Sequence, residues 1–291
     1  MNADRSAAAA ARDAVSGPVS RAAVMTHGKP TTIGPALARL EKVAREAGVD
    51  LLMPDEEVEK HGVGEPEPDL ESADLAVVLG GDGTMLRALH RFLGTDVPVI
   101  GVNFGRVGFL ASIGPDELEA GLARVFSGDY RVVQLTTLDV ESGAARASAV
   151  NDVVALTAVR GRMVELGWAI GGEDLGVQPC DGMICSTPSG STAYNLSNGG
   201  PVLVRGLDAM AVTFIAPHSL HARPMVVPRG LELEIRNETT DVGVSVIVDG
   251  HVLEDVNGGE SVVVRLGERR SLLATLPETT FFSRYRETFG S

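Results

Sequence analysis

A chain of 291 residues that is 44% hydrophobic carries enough apolar side chain for two cores of ordinary domain size. Its net charge of −14 argues against nucleic acid or an anionic membrane as the main partner, since both call for a basic face. No apolar run is long enough to span a bilayer, and the two cysteines, Cys180 and Cys185, lack CxxC spacing, which suits reduced thiols in a cytoplasmic protein.

Residues 1–20 are alanine-rich, carry Asp4 and Asp13, and have no leucine-rich stretch of signal-peptide type, so they read as a disordered tail. Arg21 to Thr26 predicts a first strand, followed by a loop at Gly28, Lys29 and Pro30. Pro35 to Gly48 reads as an amphipathic helix with Leu37, Leu40, Val43 and Ala47 on one face, closed by the glycine. Val49 to Met53 is a second short strand. Pro54 to Glu71, rich in Pro, Glu and Gly, reads as a solvated loop with little fixed structure.

The stretch from Ala73 to Leu93 organises the chain. Leu75 to Leu79 has the pattern of a strand buried on both faces. Gly80, Gly81 and Gly83 come immediately after it, and from Thr84 the spacing of Leu86, Leu89 and Leu93 is helical. Strand, glycine turn and helix place the turn at the carboxyl edge of a parallel sheet, where open α/β sheets bind ligands. Glycines admit a bulky anion, and the helix start offers free N–H groups to phosphate. The lone carboxylate, Asp82, suits removal of a hydroxyl proton or the holding of a metal ion beside phosphates. The turn is not GxGxxG, because Leu86 stands where the third glycine belongs. It is not a Walker A loop, because lysine occurs only at Lys29, Lys42 and Lys60 and none comes after such a turn.

Val97 to Asn103 is the next buried strand, and it runs into a second glycine loop from Phe104 to Phe109 on the same edge as Asp82 if the strands are parallel. Pro115 to Phe126 is helical, with Asp116 and Glu117 in its first turn. After Tyr130 the grammar changes. Strand-like segments at 131–140, 147–159, 163–170, 183–186, 210–216, 231–236, 242–248, 261–266 and 271–274 succeed one another without a convincing amphipathic helix. The expected organisation is a tail over 1–20, a Rossmann-like α/β domain over 21–130, and an all-β, sandwich-like domain over 131–275. Phe281 to Phe289 reads as one more helix, and residues 276–291 are expected to pack back on the first domain.

Asp181 to Val202 (DGMICSTPSGSTAYNLSNGGPV) crowds Ser186, Thr187, Ser189, Ser191, Thr192 and Tyr194 around Pro188 and Gly190, either as a surface loop or as a grip for ribose or phosphate. No GxSxG elbow is present, so a serine hydrolase gains little support. Asn151 and Asp152 interrupt an apolar run, where a polar pair is costly unless satisfied or used; the alternatives are a bulge or a site. His218, His221 and Arg223 share a Pro-bounded loop with no third ligand at metal spacing, which favours a hydrogen-bonding role over zinc.

Taken together, Gly80–Thr84 (GGDGT), Asn103–Leu110, the pair Asn151–Asp152, Asp181–Pro201 and Pro217–Pro224 (PHSLHARP) make the chain from about Arg21 onward resemble the NAD kinase family. GGDGT alone also resembles diacylglycerol and sphingosine kinases and phosphofructokinases; the long serine/threonine segment is the specific part. The resemblance implies phosphorylation of the 2′-hydroxyl of the adenosine ribose of NAD to give NADP, with ATP or inorganic polyphosphate as donor, Mg²⁺ or another divalent metal, dimers or tetramers, and an active site between the two domains. It implies that Asp82 is the base. It places Gly83, Arg87, Asn151, Asp152, Arg162, Asp181, Thr192, Ala193, Tyr194, Asn195, Leu196, Ser197, Ala216 and His251 against NAD. Gly80, Gly81, Gly83 and Thr84 are the expected donor-phosphate cradle. No metal ligand is assigned. Asp152 stands where the family usually has Glu, Ser189 where Thr is commoner, and His251 where Gln is frequent. A lipid kinase would want an apolar entry or basic face that this acidic chain lacks. A non-catalytic NAD sensor would keep the Asn151 and Asp181 regions without needing Asp82.

Overall fold

The structure is a computed structural model that describes residues 14–15, 17–28, 30–62, 64–105 and 108–290. In chain order it contains β1 (Ala14–Val15), β2 (Arg21–Thr26), α1 (Pro30–Ala47), β3 (Asp50–Leu52), α2 (Asp55–His61), β4 (Leu75–Gly80), α3 (Asp82–Arg91), β5 (Val99–Asn103), α4 (Leu118–Phe126) and β6 (Arg131–Leu135). Next are β7 (Leu138–Ser142), β8 (Ala145–Ala149), β9 (Asp152–Thr157), β10 (Val164–Ile170), β11 (Glu173–Cys180), β12 (Gly182–Ser186) and the short α5 (Tyr194–Ser197). Last come β13 (Ala209–Ile215), β14 (Met225–Pro228), β15 (Leu233–Asn237), β16 (Val244–Val248), β17 (His251–Val256), β18 (Ser261–Leu266), β19 (Ser271–Thr275) and α6 (Phe281–Phe289). The chain forms two compact units, one running to Gln134 and resuming at Ser271, the other Leu135–Arg270.

The first unit is α/β. Its sheet has the order β1-β6-β19-β5-β4-β2-β3, and β3, β2, β4, β5 and β19 are parallel. Every residue of β4 is buried, as its unbroken apolar run requires. Leu75, Val77 and Leu79 join Ile100 and Val102 on one face of the sheet and pack with the apolar stripes of α1 (Leu37, Leu40, Val43) and α4 (Leu118, Leu122, Val125). Because β2, β4 and β5 run in register (Thr26↔Leu79, Gly80↔Asn103), the loops leaving their carboxyl ends emerge side by side.

The second unit is all-β. Two six-stranded antiparallel sheets have the orders β11-β10-β15-β18-β7-β8 and β14-β13-β12-β9-β16-β17. Alternate residues of both, among them Leu138, Val140, Val153, Ala155, Met183, Cys185, Leu166, Ile235 and Val246, share one core, the pattern of a β-sandwich.

Several expectations need correction. α1 starts at Pro30, not Pro35. Proline at the first helical position forfeits no bond, and Ile33 extends the buried stripe backward; Pro35 sits inside the helix. The segment expected as a loose loop over 54–71 contains α2, with three acids in its first turn, Lys60 and His61 in its last and Gly62 as a left-handed C-cap. Of the expected tail, residues 1–13 and 16 lie outside the described residues, but Ala14–Val15 pairs with β6 and Val19 is buried. The boundaries expected at 130/131 and 275/276 move to 134/135 and 270/271, because β6 and β19 both complete the first unit's sheet. Ser271 is fixed there by its Oγ donating to the Leu89 carbonyl at 2.7 Å. Three strands not anticipated, β11, β14 and β17, are each at a sheet edge.

The helices of the first unit set up a comparison. A Cβ at Gly34, within α1, meets nothing within 4 Å, whereas one at Gly121, within α4, lies 2.9 Å from Cγ2 of Ile113, a fully buried and stiff β-branched side chain. Gly34→Ala is therefore expected to gain about 1 kcal/mol from helix propensity. In Gly121→Ala overpacking of about 1–3 kcal/mol outweighs that same gain, leaving a net loss. Urea unfolding of both variants should move the midpoint in opposite directions; equal shifts would contradict the α4–Ile113 packing.

Candidate functional site

The glycine turn after β4 is built as an open helix start. Gly81 is the N-cap of α3 and no side chain caps it, so the amides of the first turn are left to other partners. Asp82 is the first residue of α3, two residues earlier than the helix start read from the sequence. Its carboxylate does not fold back on the helix. Oδ2 accepts from the Phe109 amide at 2.8 Å and Oδ1 from the Leu110 amide at 3.2 Å. That approach depends on Gly108, where a Cβ would lie 2.3 Å from Oδ1 of Asp82. Arg106 and Val107 of the second glycine loop lie outside the described residues. Asn103 starts that loop, its Oδ1 accepting from the Gly105 amide at 2.9 Å.

Beside the turn is a cavity of about 580 Å³ lined by His27, Gly28, Thr32, Ile33, Gly80, Gly81, Gly83, Thr84, Arg87, Phe104 and Gly105. All four residues expected to cradle donor phosphate are in this lining. So is Arg87, which is exposed and has no ion pair among the described residues. Among the described residues no carboxylate lines it. A glycine-rich wall, an uncapped helix start and a free guanidinium suit an anion in a protein that is otherwise strongly acidic. His27, Gly28, Thr32 and Ile33 were not foreseen; they are brought in because β2 neighbours β4 in a parallel sheet.

A buried polar network fixes the end of β2 where His27 and Gly28 begin. Glu57 of α2, 2% exposed, accepts from the Thr26 amide at 2.9 Å and from the Thr26 hydroxyl at 2.6 Å. Lys60 Nζ donates to the Thr26 carbonyl at 2.9 Å and lies 3.1 Å from both Glu57 oxygens. His61 Nε2 is 2.9 Å from the Thr26 hydroxyl. The carboxylate is thus paired and hydrogen-bonded, the condition for burying a charge.

In the second unit, the polar pair Asn151–Asp152 forms the corner between β8 and β9. The Asp249 carboxylate, not singled out from the sequence, organises that corner by accepting from the amides of Val150 (2.7 Å), Asn151 (2.8 Å) and Asp152 (3.1 Å). Asp249 and Gly250 turn the hairpin between β16 and β17. The Asp-Gly pair was the available signal, and Asp249 holds a positive φ of 47°. Ala216, at φ 45°, is the other non-glycine residue in this region of backbone space among the described residues, and it is exposed. Asn151 Oδ1 and Ser189 Oγ are buried and lack a hydrogen-bond partner among the described residues, so both keep the capacity to bond a ligand.

The serine/threonine segment proves to be mainly a self-stapled loop. Thr187 Oγ1 donates to the Val150 carbonyl at 2.7 Å and accepts from the Gly190 amide at 3.0 Å. Ser191 Oγ donates to the Pro188 carbonyl and accepts from the Leu203 amide. Asn195 is part of this construction. It is fully buried, its Nδ2 donates to the Ser191 and Pro201 carbonyls, and its Oδ1 accepts from Thr213, so its side chain builds the loop. Thr192, Ala193, Tyr194, Leu196, Ser197 and Asp181 retain exposed or half-buried surface. Arg162 is engaged in an exposed pair with Asp241 at 2.8 Å, and His251 Nδ1 lies 3.2 Å from the Asp249 carbonyl. The loop of His218 and His221 folds on itself, Arg223 donating to the carbonyls of Leu220 and Ala222. Among the described residues no three His, Cys, Asp or Glu side chains gather as a metal cluster.

Burial, and then the nearby Asp249 carboxylate, push the Asp152 carboxyl up to about 7. The folded chain therefore keeps a proton that the unfolded chain loses near pH 4, so stability from this group is present below pH 4 and is lost as pH rises to about 7. Asp152→Asn removes the dependence. Relative to the parent, the variant is expected to gain a few kcal/mol between pH 4 and 8, read by urea unfolding across that range. A difference that stays flat with pH would show that Asp152 is ionised throughout.

Comparison with known proteins bears on both units. Residues 43–130 match the model of the ATP-NAD kinase N-terminal domain and residues 150–276 that of the ATP-NAD kinase C-terminal domain. The NAD kinase of Gemmatimonas aurantiaca is 38% identical over 223 residues, 75% of this chain and 77% of that protein. The NAD kinase of Heliobacterium modesticaldum is 38% identical over 231 residues, 76% and 82% of the two chains. Among solved structures, yeast NADH kinase complexed with NADH shares the fold, with a TM-score of 0.82 and 23% identity over 94% of this chain and 88% of that one. An NAD kinase from Archaeoglobus fulgidus in complex with ATP gives a TM-score of 0.73 and 26% identity over 93% of this chain and 97% of that one. With both domain models matched and relatives well above 30% identity over most of its length, this chain belongs to the NAD kinase family.

Proposed function

We propose that in this NAD kinase Asp82 is the base and the first unit's cavity takes the donor's phosphates. The observation that carries the reading is the Asp82 carboxylate, fixed by the Phe109 and Leu110 amides beside a glycine-lined cavity that contains no acid. Asp82 takes the proton of the 2′-hydroxyl of the NAD adenosine ribose as that oxygen attacks the terminal phosphorus of the donor. The bond to the leaving oxygen breaks, and NADP and ADP (or a shortened polyphosphate) result. The turn of Gly80, Gly81, Gly83 and Thr84 receives the phosphates, and Arg87, one turn further along α3, offers them its charge. The archaeal relative solved with ATP supports ATP as a donor.

For NAD, the unpartnered Asn151 Oδ1 and Ser189 Oγ and the buried Asp152 carboxyl are the groups with unused hydrogen-bonding capacity. Asp181, Thr192, Ala193, Tyr194, Leu196, Ser197 and Ala216 are proposed to line the same ligand, Asn195 to shape their loop, and Arg162 and His251 to contribute from its margin. Mg²⁺ is proposed to arrive on the donor phosphates as part of the substrate, since the described residues form no cluster to hold it alone. No helix among them is long and apolar enough to cross a membrane, and both cysteines are free. A cytoplasmic enzyme assembled as dimers or tetramers completes the proposal; Met225 and Val226, exposed on edge strand β14, offer surface for such contacts.

Asp82→Asn tests the base. Asparagine keeps an acceptor for one of the two amides, so the expected cost to stability is about one hydrogen bond, ~1 kcal/mol. NAD binding by calorimetry should persist while NADP formation falls by roughly 10²–10⁴. Turnover within about threefold of the parent, far less than such a base supplies, would remove Asp82 from the mechanism. A second assay addresses the metal. With NAD and either ATP or polyphosphate, excess chelator should abolish NADP formation and added Mg²⁺ restore it; full turnover in chelator would overturn the metal requirement.

A further inference from the structure

The nine-residue helix α6 has no fully buried residue, yet it is a well-formed element with a capping box in which Thr280 and Ser283 bond reciprocally. Helices of this length are marginal alone, so something in the first unit holds it. Two of its aromatic rings meet Phe109: Phe281 at a centroid distance of 6.1 Å and Phe289 at 5.6 Å. Between them along the helix, Arg284 Nη2 donates to the Ala111 carbonyl at 2.8 Å. The segment that α6 grips, Phe109–Ala111, is the same one whose amides at Phe109 and Leu110 hold the two oxygens of Asp82.

We infer that α6 is a positioning element for phosphoryl transfer, with Phe281, Phe289 and Arg284 fixing Phe109–Ala111 so that its amides aim the Asp82 carboxylate. None of the three is among the residues that line the cavity, and what they hold is the backbone of Phe109–Ala111. The physical demand is orientation. A base misplaced by about 1 Å loses much of its effect, and glycine, which stands at 108 just before the segment, fixes a backbone less than any other residue. The inference rests on the reading of Asp82 as the base, and the test separates the two.

The full-length protein is compared with Phe281→Ala/Phe289→Ala and with Arg284→Ala, each in the parent and in the Asp82→Asn background; exposed Arg286→Ala is the control. In the parent background the α6 variants should lower kcat about 10- to 100-fold with KM for NAD and ATP within about twofold, while Arg286→Ala changes nothing. Arg284→Lys should recover part of the loss, since it restores a donor to the Ala111 carbonyl. In the Asp82→Asn background the same changes should cost nothing further, because residues acting through one group are not additive. An unchanged kcat in the parent background, or an equal loss in both backgrounds, overturns the positioning role. Near-parental turnover of Asp82→Asn itself overturns the base instead. If the double aromatic variant fails to fold, Arg284→Ala carries the same comparison alone.

Discussion

A carboxylate at the start of a helix has an easy option: turn back and cap its own first turn. Asp82 does not take it. Its two oxygens are engaged by the amides of Phe109 and Leu110, and much of the first unit depends on that choice. The parallel register of β4 and β5 brings Gly80 level with Asn103, so two loops leave the sheet side by side. Gly108 has no Cβ because the carboxylate occupies its space. With the acid turned this way, no side chain caps the start of α3, and the glycine wall beside it carries no negative side chain among the described residues.

The same device recurs in the second unit, where Asp249 gathers three consecutive amides at the Asn151 corner. A carboxylate saturated by backbone N–H groups is a rigid strut. It also leaves neighbouring side chains free of the duty of satisfying that backbone, and Asn151 Oδ1 is buried with no donor to accept from among the described residues. Asp152, next in sequence, bears the cost of this arrangement: burial near a fixed negative charge favours its neutral form. An acid one methylene shorter than glutamate stays inside this corner, where it is 7% exposed.

Legibility in the sequence tracks the strength of local signals. β4, with every residue buried, and the glycine turn after it were legible because a fully buried strand admits almost nothing but apolar residues. β11, β14 and β17 were not, because edge strands are exposed on part of both faces and carry Glu173, Pro228 or His251 where a central strand cannot. α2 had a complete helical grammar, proline before it, acids first, bases last and glycine after, but its composition resembles that of a disordered linker. Among site residues, motif resemblance located the loops, yet not which side chains turn inward. Asn195 lies in the specific segment and is consumed by the loop's own construction, whereas Asp249 lies outside every motif and shapes the corner. Hydrogen bonds between residues 98 positions apart leave no local trace in a sequence.

The network around Glu57 gives the connection between β3 and β4 a metric. Glu57 reaches Thr26 because it stands in the first turn of α2, just after the N-cap Pro54, and each residue of a helix turns the next by about 100°. One residue inserted or deleted between Pro54 and Glu57 would swing the carboxylate away from β2 and leave the Thr26 amide buried without it. Further along, the chain is tied back at Pro66, which bridges Met53, and at Glu67, whose amide donates to the Met53 carbonyl at 2.9 Å, before Leu70 re-enters the core. The acidic stretch from Pro54 to Glu57, the least core-like in composition, is thus expected to keep its length among relatives as strictly as a strand.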